Sequence, residues 1–131
     1  MKHTSRIVAM LLLTVMCVGL LISCAPASDP TKAKEALEEN GYTVIKYETD
    51  TLKGLLAMMG VESDDRLETA VYAQKDDSAV FILYFDSTKA AREYWAENKD
   101  SLTDDLEKDE VAAQSGNMVY VGNKDAVKAA R

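Results

Sequence analysis

The adjacent carboxylates Asp64-Asp65, Asp76-Asp77, Asp104-Asp105 and Asp109-Glu110, in loops or at helix ends, are among the densest reactive groups in this 131-residue chain. Paired carboxylates suit two kinds of chemistry. They can share the acid and base roles of glycoside hydrolysis, or they can supply oxygen ligands to a hard cation such as calcium. Calcium loops place several oxygens around a tight turn, usually with an internal glycine. The run Thr103 to Glu110 has neither that glycine nor the alternating acidic spacing. A solvated acidic surface is therefore the expected state of these pairs, with weak cation binding as the alternative. The remaining reactive side chains are few. His3 is the only histidine and Cys17 and Cys24 the only cysteines. No Gly-x-Ser-x-Gly, phosphate-loop or dinucleotide-binding pattern occurs, so no cofactor is expected.

The aromatic residues carry a further expectation. Tyr72, Tyr84 and Tyr120 fall on strand-like segments, and if they share one sheet face they form a candidate contact surface. Nucleic acid is not the expected partner. Twenty-two acidic side chains against 15 basic ones give a net charge of −7, which repels phosphate and anionic membrane surfaces alike.

The first 23 residues read as an address. Lys2 and Arg6 form a basic start, and Ile7 to Ile22 is almost wholly apolar but somewhat short for a membrane span of about 20 residues. The run closes on Leu21-Ile22-Ser23-Cys24, which resembles the lipobox of bacterial lipoproteins. That resemblance implies cleavage before Cys24 and a diacylglyceryl group on its sulfur, holding the protein on the extracytoplasmic face of the cell membrane. Two acyl chains anchor stably where one alone binds only reversibly. Cleavage there removes 23 residues, including Lys2 and Arg6, and leaves 108 with 13 basic and 22 acidic side chains, a net of −9. It also removes His3 and Cys17. With Cys24 lipidated, no imidazole or thiol remains for His- or Cys-dependent catalysis, for a His- or Cys-ligated metal, or for a disulfide. Residues 24–28 read as a short tether, within roughly 20 Å of the bilayer when extended, and residues 29–131 as one α+β domain.

The elements that would position the side chains follow from local signals. Asp29-Pro30 opens a helix that Asn40-Gly41 ends. Tyr42 to Thr49 is a strand. Leu52, Leu55, Leu56 and Met59 fall at helical spacing, with Asp50 or Thr51 as cap and Gly60 as stop. Leu67 to Gln74 and Ala79 to Phe85 form a hairpin, its second strand continuously apolar as a central strand should be. Asp86 or Ser87 caps a third helix that Asp100-Ser101 is expected to break. Val111 to Gln114 and Met118 to Val121 form another hairpin candidate, and Asn123 caps a last helix. The order suggests a two-layer antiparallel sheet with helices on one face, a ferredoxin-like βαββαβ core with added N- and C-terminal helices.

Three stretches carry a wider likeness: Asn40-Gly41-Tyr42, Phe81 to Phe85 running into Asp86-Ser87-Thr88-Lys89-Ala90-Ala91, and Val119-Tyr120-Val121-Gly122. On these the mature chain is similar to small acidic lipoproteins of Gram-positive gut anaerobes. The likeness implies a lipid-anchored α+β domain and no particular activity. The expected function is a non-catalytic interaction module with an envelope protein as partner. The alternative is a small-ligand or cation binder using the acidic loops.

Overall fold

The computed structural model describes residues 25–58, 60 and 65–131, so the Leu21 to Cys24 lipobox and Asp64 lie outside the described residues. The elements run α1 (Pro30–Glu39), β1 (Thr43–Glu48), α2 (Thr49–Met58), β2 (Leu67–Lys75), β3 (Ser78–Phe85), α3 (Thr88–Thr103), β4 (Glu110–Ser115), β5 (Met118–Asn123) and α4 (Lys124–Ala129). This is an α+β fold around one open, antiparallel, five-stranded sheet.

Helix ends obey local chemistry. The Asp29 carboxylate accepts the Thr31 amide at 2.8 Å, and Ser87 Oγ accepts the Ala90 amide at 3.1 Å. Each satisfies an amide that the first turn leaves without a helical partner. Gly41, at φ +85°, takes the left-handed turn after α1 at no steric cost. Three expected ends differ. α2 begins at Thr49, so Asp50 and Thr51 lie inside its first turn and neither is its cap. α3 runs through Asp100-Ser101 to Thr103 without a break, with Tyr94 and Trp95 before the expected break and Leu102 after it packed against the core. Asn123 stands at the N-cap of α4 but does not cap it with its side chain. Its Oδ1 accepts the Ala79 amide and its Nδ2 donates to Asp109, both at 2.8 Å.

The ferredoxin-like order is not what the sheet adopts. The strands lie β1-β2-β3-β5-β4, with β1 beside β2 and antiparallel to it. A split arrangement would seat β1 next to β3. Here β2 begins at the end of the sheet where β1 finished, since Glu48 faces Thr69. β2 can then pair directly with the strand it follows.

The helices also lie on both faces, not one. α1 and α4 cover one face, packing Ala33, Leu37, Ala126 and Val127 against Val71, Val80, Ile82, Tyr84 and Met118. α2 and α3 cover the other, packing Leu52, Leu56, Ala91 and Tyr94 against Ala70, Leu83, Phe85 and Val119. β3 explains the three layers. Its side chains alternate between two clusters, so an unbroken apolar run from Ala79 to Phe85 requires cover on both sides. At Gly122, an added Cβ would collide with Ala79 O and lie 2.6 Å from Val80 Cα, so β5 approaches β3 too closely there for a side chain.

Within residues 25–28, Ala25 and Ala27 pack against the domain. Ala25 is only 9% exposed and packs in the α1/α4 cluster, with Ala27 against its edge. Ala27 N donates to Ala130 O at 2.8 Å, and the Tyr84 hydroxyl donates to Ala27 O at 2.9 Å. Small residues let this strip slot in beside α4.

Candidate functional site

Strand register decides where the three tyrosines point. Lys75 faces Ser78 across the Asp76-Asp77 turn, so Tyr72 faces Phe81 and lies on the α2/α3 side. Tyr84 and Tyr120 alternate onto the other side and are buried beneath α1 and α4. The expected shared face does not exist. Burial pushes the Tyr84 phenol above its ordinary value, and the Asp29 carboxylate adds to the same effect. That residue is a structural post for Ala27.

Tyr72 nonetheless belongs to a surface. Ile45, Tyr72, Phe81, Val121 and Ala112 face one another across all five strands in one row. Directly opposed residues share a sheet face, so this row is a continuous apolar stripe on the α2/α3 side. The rings of Tyr72 and Phe81 lie 6.2 Å apart at 55°. Ile45 is 47% exposed, and the other four are half-buried. One row further in, Ala70, Leu83 and Val119 are fully buried. Helices α2 and α3 therefore seal the inner part of this face and leave the Ile45 to Phe81 end open.

Between α2 and α3 the stripe leads into a cavity of about 100 Å³, lined by Leu56, Phe81, Leu83, Tyr94, Leu102, Val119, Tyr120 and Val121. Its walls are almost entirely hydrocarbon. Such a space excludes water and accepts apolar groups; a cavity of about 150 Å³ can hold benzene. The sequence carried a partial signal for it. Adjacent Val44 and Ile45 break the polar–apolar alternation of a half-covered strand, placing one apolar side chain on each side.

The acidic pairs are distributed unevenly. Asp65 has Lys53 at 3.3 Å. Asp104 and Asp105 follow α3 and are exposed. Asp76, Asp77, Asp109 and Asp125 are drawn together with Tyr42, Lys75, Ser78 and Asn123 around an open groove of about 410 Å³ at the β2–β3 turn. Lys75 partly neutralises it, donating to Asn40 O at 3.0 Å with its ammonium 5.7 Å from the Tyr42 ring centre. Asp125, on α4, is the member that adjacent-pair reasoning missed; only the fold brings it there. Among the described residues, no three His, Cys, Asp or Glu side chains converge in a way that could hold a metal ion. Nor is any described helix long and apolar enough to cross a membrane. No family model matches the chain, and neither a curated protein nor a solved structure matches it.

Proposed function

We propose that this protein is a lipid-anchored, non-catalytic interaction module, held at the extracytoplasmic face of the cell membrane through Cys24 and contacting an envelope protein. The observation that carries the interaction reading is the half-covered sheet face. A stripe of Ile45, Tyr72 and Phe81 stays open beside a cavity, while the opposite face is sealed by α1, α4 and the incoming chain. Ile45 is exposed and Tyr72 and Phe81 are half-buried, so the row offers a partner a partly uncovered apolar surface beside the cavity.

Anchoring rests on the basic start, the apolar run and the Leu21 to Cys24 motif. It fits the packing of Ala25 and Ala27. Ala25 and Ala27 pack on the α1/α4 side, the face opposite the open stripe. Cell fractionation tests the anchor: Cys24→Ala should move the protein out of the membrane fraction and abolish lipid labelling. Full membrane retention of that variant would overturn it. Chemical crosslinking in cells followed by mass spectrometry tests the partner, with one discrete adduct expected and a featureless result contrary to it.

The groove of Asp76, Asp77, Asp109 and Asp125 favours a second reading, a small-ligand or cation binder. That reading requires a melting temperature raised by several degrees at about millimolar calcium, because a ligand bound only by the fold stabilises it. An unchanged melting temperature would remove it.

A further inference from the structure

We infer that the cavity between α2 and α3 is the anchor pocket for one large apolar side chain of a basic polypeptide segment. The inference rests on the interaction reading and specifies its partner. The cavity holds about 100 Å³ and is walled by groups such as Leu56, Leu102 and Val121, a fit for one leucine-sized side chain. Sites of this kind concentrate binding energy in one buried anchor, with surrounding contacts that exclude water. Phe81 belongs both to the cavity wall and to the Ile45–Tyr72–Phe81 stripe, so a segment crossing the stripe from the open β1 edge would be led into the pocket.

Charge selects the occupant. Leu102 lies in an acidic stretch: over 99–110, Asp100, Asp104, Asp105, Glu107 and Glu110 outnumber Lys99 and Lys108, while Asp109 faces the groove at the β2–β3 turn. The ion pairs Arg66–Glu93, Lys53–Asp65 and Lys46–Glu48 all lie outside that stretch. A pocket whose Leu102 wall belongs to this acidic stretch attracts Lys- or Arg-flanked segments and repels acidic ones. A second copy of this chain, itself at −7, and an anionic membrane surface are both disfavoured on the same ground.

Trp95, the only tryptophan, sits on α3 next to the pocket-lining Tyr94 and packs against the same cluster, so its emission can follow changes there. The test titrates the full chain, held in phosphatidylcholine nanodiscs, with acetyl-Gly-Lys-Lys-Ser-Leu-Ser-Lys-Lys-Gly-amide and follows Trp95 emission. A saturable change is expected, weakened about tenfold or more when the peptide leucine becomes serine. Val121→Phe, which fills the cavity, should weaken binding similarly, and Asp104→Asn with Asp105→Asn should reduce both affinity and its salt dependence. Both altered residues of the second variant are exposed, so it keeps its fold if the first does not. Equal binding of the serine peptide, of a glutamate-for-lysine peptide, or of the wild-type peptide by a folded Val121→Phe variant would overturn the inference. So would the absence of any saturable change. A discrete crosslinked partner in cells alongside such a failure would leave the interaction reading standing and remove only this pocket. Loss of the crosslink with intact peptide binding would do the reverse.

Discussion

The two faces of the sheet are built from similar residues but finished differently. Under α1 and α4, Ala33, Leu37, Ala126 and Ala130 reach zero exposure, and even the incoming Ala25 is packed down. Under α2 and α3, the inner row is equally sealed, yet Ile45, Tyr72 and Phe81 remain at the surface beside a cavity. The difference teaches which apolar residues serve the fold alone. Where cover is complete, a side chain is accounted for by packing. Where cover stops short of an apolar row, packing accounts for only part of each side chain, as at Ile45.

Substitutions on the two faces should separate these roles. Leu37→Ala, at zero exposure on α1, should cost about 2–5 kcal/mol in urea unfolding, because it opens a cavity in close packing. Gly122→Ala should cost about 1–3 kcal/mol, as its Cβ would push β5 away from Ala79 and Val80. Tyr84→Phe removes one hydrogen bond to Ala27 and should cost about 0.5–1.5 kcal/mol, with faster amide exchange at Ala27.

The same tyrosine sets an alkaline limit. Its phenol is raised in the fold, so the stability it contributes is fully present below the ordinary phenol value of about 10. That stability is lost as pH rises beyond this value, since the unfolded chain ionises first. The wild type should lose stability more steeply above about pH 10 than Tyr84→Phe does, as measured by urea titrations across that range. Ile45→Ser, on the open stripe, should change stability by at most about 0.5 kcal/mol while abolishing partner crosslinking. A large stability loss at Ile45 would place it with the sealed face.

Much of the local structure was legible in the residues. Asp29-Pro30 with Asn40-Gly41 bracketed α1, and both hairpins stood within a residue or two of their sequence bounds. What escaped was decided by pairing between distant segments. The order β1-β2-β3-β5-β4 depends on where β2 begins relative to β1, which no local signal encodes. The tyrosine grouping failed on parity. A two-residue turn at Asp76-Asp77 puts Tyr72 and Tyr84 on opposite sides, and a shift of one residue would have united them. The two-layer expectation failed on β3, whose unbroken apolar run already implied cover on both faces. Of the candidate site, Tyr72 was singled out as a residue, but the pocket behind it needed Leu56 and Leu102 from two separate helices.

A photocrosslinking amino acid placed in the full chain in cells compares the two faces most directly. Position 45 lies on the open stripe, and position 32 is an exposed site on α1 above the sealed face. A discrete protein adduct from position 45 and none from position 32 is the expected result. Adducts of equal yield from both positions, or from position 32 alone, would contradict the assignment of the α2/α3 face as the contact surface.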